Sequence, residues 1–304
     1  MKRRHFLKET IASGTFIGLG GLSLSSCLGP TEKTITILHT NDVHSHIEPF
    51  GAGHSKFPNL GGVARRATLI EQIRAENPNT LVFDAGDIFQ GTPYFNYFGG
   101  ELEFKMMSKL GYKAATIGNH DFDNGIEGLE KQLPHAGFDF LTANYDFKNT
   151  VMDGKTKAYK IYTIDGIKIG VFGLGIKLDG LVDPVLFKET SYLDPVEITQ
   201  DMGTLLKEDK GCDLVICLSH LGYYYKKNPD QISDLNLAKR TKNVDLIIGG
   251  HTHTFLKKPT IVKNLEQENM LVNQVGCWGV NLGRIDFIFD DLKRIGAKGK
   301  SIIV

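Results

Sequence analysis

The sequence predicts an α/β protein with a parallel or mixed central sheet that ends in a β-rich section. Three observations predict it. From Thr34 onward, short runs rich in Val, Ile, Leu and Phe alternate with segments of helical spacing. After Lys258 the strand-like runs continue without helices between them. Polar clusters follow directly on five of the apolar runs, where sheets of this kind gather ligands.

Taken in order, strands are expected at Thr34–His39, Thr80–Asp84, Lys113–Ile117, Phe138–Thr142, Ile167–Gly173, Asp213–Ser219 and Val244–Ile248. Each is short and apolar throughout, the pattern of a strand covered on both faces. Helices are expected at Val63–Glu76, Leu102–Leu110, Ile126–Leu133, Pro195–Glu208 and Asp230–Lys239. In the first of these, Val63, Ala67, Ile70 and Ile73 recur at helical spacing, and the helix must stop before Pro78. Between Lys258 and Asp290, ThrIleVal, MetLeuVal and ArgIleAspPheIlePhe suggest one closing antiparallel section.

The N-terminus reads as a targeting segment, not as part of the fold. Residues 1–8 are MKRRHFLK, followed by a Gly- and Ser-rich, weakly apolar stretch free of acidic residues, then LeuSerSerCys ending at Cys27. This has the form of a twin-arginine export signal joined to a bacterial lipobox, with Cys27 lipidated. A general secretory signal or a short membrane anchor is the plainer alternative. The expected organisation is residues 1–27 as signal, 28–33 as linker and 34–304 as one catalytic domain. The protein would then sit in the periplasm or cell envelope, held to a membrane by lipid.

Thirty-five basic residues balance thirty-five acidic ones, so no bulk charge points to nucleic acid as a partner. Beyond the N-terminus no apolar run is long enough to span a bilayer. Cys212 and Cys217 flank or sit in an apolar run, which favours buried thiols, and with Cys277 they make an odd set that argues against a disulfide framework.

The five polar clusters carry the chemistry. Asp42 and His44 lie on the loop after the first strand and offer an oxygen and an imidazole, though such a pair alone is ordinary turn chemistry. Gly86–Asp87 follows the second strand, and the glycine lets the chain turn sharply. Gly118-Asn119-His120-Asp121-Phe122-Asp123 offers a carboxamide and an imidazole that Asp123 could orient; a helix cap would equally explain the acidic residues. His220 ends the apolar run before it, where a lone histidine is more often a satisfied core residue. His251 and His253 would face opposite ways in a regular strand, but Gly249 and Gly250 permit an irregular loop that turns both inward. As a set closing strands of one sheet, these residues supply enough ligands for two metal ions. Their mixed nitrogen and oxygen donors suit Mn, Fe or Zn better than Ca.

In order and type these motifs resemble the calcineurin-like metallophosphoesterases, specifically their 5′-nucleotidase branch. The resemblance implies a four-layer α-β-β-α sandwich with two central mixed sheets. It implies that Asp42, His44, Asp87 and His253 hold one metal, and that Asp87 bridges to a second held also by Asn119, His220 and His251. His120, oriented by Asp123, would lie by the substrate phosphate and not be a ligand. The implied activity is hydrolysis of nucleoside 5′-monophosphates or related nucleotides by a metal-bridging hydroxide, with Mn, Zn or Fe first and Mg or Ca as further candidates. Nucleotidases of this branch usually continue into a second, base-binding domain, and a chain that stops at Val304 is expected to lack it. The alternatives are a sulfate-ester or thiosulfate hydrolase, a phosphodiesterase, a binding protein with a vestigial site, or the catalytic subunit of a split nucleotidase whose partner carries the substrate domain.

Overall fold

The computed structural model describes residues 32–304, and every element below belongs to that span. The expected signal, the lipobox and Cys27 lie outside the described residues.

The strands in chain order are β1 Glu32–Thr40, β2 Thr80–Asp84, β3 Ala114–Ala115, β4 Asp139–Phe140, β5 Tyr145–Asp146, β6 Tyr159–Ile164, β7 Ile167–Leu174, β8 Ser191–Tyr192, β9 Leu214–Ser219, β10 Leu246–Gly249, β11 Thr260–Lys263, β12 Asn269–Asn273, β13 Asn281–Asp290 and β14 Lys293–Ile303. The helices are α1 Val63–Glu76, α2 Pro93–Phe98, α3 Glu101–Leu110, α4 Gly125–Gln132, α5 Pro184–Phe187, α6 Pro195–Thr204 and α7 Asp234–Arg240.

Two six-stranded sheets form the centre, ordered β14-β13-β1-β2-β3-β4 and β11-β12-β10-β9-β7-β6, with β5 and β8 pairing separately. Both sheets are mixed. The pairs β1–β2, β2–β3 and β3–β4 are parallel and β1–β13 is antiparallel in one. In the other, β7–β9, β9–β10 and β10–β12 are parallel and β6–β7 antiparallel. Ile35, Ile37, Phe83 and Phe287 of the first sheet pack against Ile169, Leu214, Ile216 and Leu246 of the second. The outer face of the first sheet is covered by Ile70 and Ile73 of α1, Phe104 and Met107 of α3, and Ile126 and Leu129 of α4. Val196, Leu237 and Ala238, on α6 and α7, cover the outer face of the second. The result is the four-layer sandwich, because each sheet is apolar on both faces and needs a layer on each side.

Two expectations are corrected. The five polar clusters do not close strands of one sheet. Three follow β1, β2 and β3 in the first sheet, and two follow β9 and β10 in the second. They still meet, because face-to-face stacking brings the ends of the parallel strands of both sheets to one edge. The closing strands also do not form a single antiparallel section: β11 and β12 join the second sheet, with β12 parallel to β10, whereas β13 and β14 join the first. Identical short apolar runs fit either sheet, so sequence pattern alone does not assign them.

Smaller differences have local causes. Strands β6 and β14 are sheet edges, half exposed and carrying Lys or Gly among their apolar residues, so they lack a continuous apolar run. Helix α6 stops at Thr204 and continues as a π-turn, Leu205–Asp209. Helix α7 starts at Asp234, not Asp230, because the Ser233 hydroxyl caps it by accepting from the Asn236 amide. Cys212, Cys217 and Cys277 are buried, unpaired thiols, as expected.

Candidate metal centre

The loops after β1 and β2 are laced together by their backbones. Asp42 N–H donates to Gly86 O at 2.9 Å, His44 N–H to Asp87 O at 3.1 Å and Ser45 N–H to Ile88 O at 2.9 Å. The loop after β3 joins them through His120 N–H, which donates to Asp87 Oδ1 at 2.8 Å. The loop after β10 joins through His251 N–H, 2.9 Å from Asp42 Oδ1. Asp42, His44, Asp87, His251 and His253 all adopt left-handed backbone with φ between 48° and 70°. Such conformations cost side-chain-bearing residues about 1–3 kcal/mol each and persist where surrounding structure enforces them. Here each of the five brings a possible ligand atom into one of two neighbouring clusters.

Two clusters result: Asp42, His44 and His253; and Asp87, His220 and His251. In the first, His44 Nε2 and His253 Nε2 are 3.0 Å apart, and His253 Nε2 is 3.4 Å from Asp42 Oδ1. In the second, His220 Nε2 is 3.0 Å from Asp87 Oδ2. Asp87 Oδ2 is also 3.9 Å from His44 Nε2, so this carboxylate lies between the clusters. Asn119 Oδ1 sits 2.8 Å from His251 Nδ1. All seven residues expected as ligands are therefore brought together.

The donor set fits two cations. His220 Nε2 is fully buried and, despite its closeness to Asp87, has no hydrogen bond directed at a partner. Buried polar atoms are rarely left so, and a cation held with Asp87 would supply the missing partner. In two of the four histidines the second ring nitrogen is engaged by a backbone carbonyl: His44 Nδ1 meets Phe89 O at 3.1 Å and His220 Nδ1 meets Ala85 O at 2.6 Å. That pattern fixes the tautomer and points Nε2 at the centre. Burial lowers the pKa of His44, and burial together with His220 lowers that of His251 to about 4, which keeps both rings neutral with lone pairs free. Burial would lower His220 too, but the adjacent Asp87 carboxylate outweighs it and favours positive charge there. Space at the centre depends on glycine. A Cβ on Gly250 would stand 2.7 Å from His220 Nδ1 and 2.8 Å from Ala85 O.

His120 stands beside this centre, its ring 5.3 Å from that of His44. It belongs to neither cluster, and Asp123 Oδ2 accepts from its Nδ1 at 3.1 Å. That hydrogen bond raises the His120 pKa against the opposing effect of burial.

Sequence reasoning assigned no role to two supporting residues. Asp121 is completely buried, and its carboxylate accepts from the amides of Asp87, Ile88, Phe89 and Gly118 at 2.8–3.1 Å, holding the Asp87 loop in shape. Asn41 donates to Asp42 Oδ2 and to Gly276 O, both at 2.6 Å, and ties the first loop to the segment after β12. Their adjacency to the ligands was the available signal, but which neighbour turns inward depends on loop shape.

A sandwich of two mixed sheets with two Asp–His clusters at its edge is the frame of a metallophosphoesterase. A sequence model of the calcineurin-like phosphoesterases matches residues 35–255, and the chain belongs to that family. It is 37% identical over 292 residues to the snake venom 5′-nucleotidase of Gloydius brevicauda, covering 88% of this chain and 47% of that protein. Among solved structures, the 5′-nucleotidase precursor from Thermus thermophilus superposes with a TM-score of 0.79 at 34% identity, over 90% of this chain and 55% of that one. The NAD nucleotidase of Haemophilus influenzae gives 0.74 at 28% identity, over 90% and 49%. The chain thus spans about half the length of these relatives.

Proposed function

We propose that the chain hydrolyses phosphate esters, nucleoside 5′-monophosphates or related nucleotides foremost, at two divalent metal ions. The observation that carries this reading is the position of Asp87, with one carboxylate oxygen within 3.9 Å of a ligand nitrogen from each cluster. Asp42, His44 and His253 would hold one ion and Asn119, His220 and His251 the other, with Asp87 shared. Bound there, the ions (Mn, Zn or Fe by donor type, Mg or Ca as substitutes) would supply Lewis-acid charge that binds the phosphoryl oxygens and acidifies the attacking water.

The chain's own residues do the rest. Asp121 keeps the Asp87 loop rigid by accepting its amides, so the shared carboxylate is fixed before substrate arrives. With Nδ1–H committed to Asp123, His120 presents Nε2 as the exchangeable position. The raised pKa favours its protonated form, which suits a donor to the departing oxygen or a cation facing the phosphoryl group. We propose further that residues 1–27 direct export and that Cys27 carries lipid, placing the site in the cell envelope. The test of function is a panel of nucleoside monophosphates, aryl and alkyl phosphates, phosphodiesters and sulfate esters with each metal added. Release of phosphate from the monoesters supports the proposal; release of sulfate alone, or no release, rejects it.

A further inference from the structure

His251 forms one wall of a cavity of about 380 Å³ whose other walls are largely apolar. Leu221, Tyr225 and Ile232 come from the segment between β9 and α7, and Ile176, Leu181 and Tyr192 from that between β7 and α6. The volume lies within the roughly 300–1,000 Å³ usual for small-molecule sites, and the few polar groups in its lining, Lys177, Asp179 and Gln231, match their usual make-up. Tyr225 is held in place: its hydroxyl donates to Leu221 O at 2.8 Å, and its ring centroid is 6.4 Å from that of His251. The turn beneath it needs glycine, since Gly222 has φ +89° and a Cβ would stand 2.5 Å from the Tyr225 hydroxyl and 2.8 Å from Thr252 Cγ2.

We infer that this cavity receives the planar aromatic part of the leaving group, a nucleobase or an aryl ring, with Tyr225 as its stacking face. The inference rests on the phosphoesterase reading, because a phosphate held at the clusters must project its ester group into adjoining space, and His251 is common to both. A second aromatic surface exists near His253, where His46, Phe50, His54, Phe57 and Trp278 assemble. Those rings are engaged with one another at centroid distances of 4.3–5.9 Å. Tyr225, in contrast, lines an open cavity that His251 shares.

The test compares Tyr225→Ala and Tyr225→Phe with the unaltered chain. On a nucleoside monophosphate and on 4-nitrophenyl phosphate, Tyr225→Ala should lower kcat/KM about 5- to 150-fold, the range expected from losing one base–aromatic stack. Glycerol phosphate, which has no ring, should be cleaved at the original rate, and Tyr225→Phe, which keeps the ring but loses the tether to Leu221 O, should lose less than Tyr225→Ala on the ring-bearing substrates. Binding of adenosine, which has no phosphate, followed by calorimetry without added metal, should be lost in Tyr225→Ala. Equal loss on all substrates, or adenosine binding that ignores Tyr225, overturns the inference. So does a ring-selective loss in Trp278→Leu that Tyr225→Ala does not share. Tyr225-dependent adenosine binding by a chain that hydrolyses no phosphoester would reject the proposed function and leave the subsite standing.

Discussion

Replacing Gly118 by alanine adds one methyl group at the point where the loops after β2 and β3 touch. A Cβ there would stand 2.5 Å from the backbone nitrogen of Asp87, and closer still to its carboxylate. That is about 0.9 Å inside the 3.4 Å at which ordinary contact begins. The neighbour cannot swing aside, because the Asp87 and Ile88 amides are tied to Asp121 and the Asp87 carbonyl to His44 N–H. The shared carboxylate must therefore move by most of an ångström. Overpacking of this kind costs about 1–3 kcal/mol, and a misplacement near 1 Å costs on the order of 100-fold in rate. Gly118→Ala should fold, melt several degrees lower, lose about two orders of magnitude in kcat/KM and retain less metal. Differential scanning fluorimetry, phosphate release and elemental analysis read the three effects. A variant with both ions bound and an unaltered rate would refute the claim that the placement of Asp87 governs the site.

Asp121→Asn replaces one acceptor oxygen by an NH2 group, leaving two of four buried amides facing a donor. At about 1.5–3 kcal/mol for each hydrogen bond to a charged group, the melting temperature should fall by roughly 6 °C or more, and an unchanged melting curve would contradict this. His120→Ala should keep its metal content while losing about 10²–10⁴-fold in kcat; metal lost in step with rate would make His120 a ligand instead. Asp87→Ala should lose metal from both clusters and with it hydrolysis, and retention of one full cluster would show that the carboxylate is not shared. Cys27→Ser should move the protein from the membrane to the soluble fraction with catalysis intact, as fractionation and activity assays would show.

Much of the fold was legible because its central strands are apolar throughout. The span of β2 and the helix α1 were read to the residue from a Val/Phe run and a helix stopped by Pro78. What sequence could not give was the division into two sheets, since an apolar run such as MetLeuVal fits either one. Edge strands such as β14 were hidden because solvent permits Lys and Gly on an edge. The candidate ligand residues were legible for a different reason. His and Asp directly after a buried strand are uncommon without a task, and five such places in order form a pattern. Asp121 sits in the same motif, yet its role depends on four amides contributed by two loops, an arrangement that no local pattern encodes.

The central claim is that the two clusters hold two ions and that both are needed. The most direct measurement is metal titration into chelator-treated protein, following bound metal by mass spectrometry and phosphate release in the same samples. Two equivalents should bind per chain, and activity should rise only as the second site fills. Full activity at one equivalent, or hydrolysis that persists in the metal-free chain, would contradict the account.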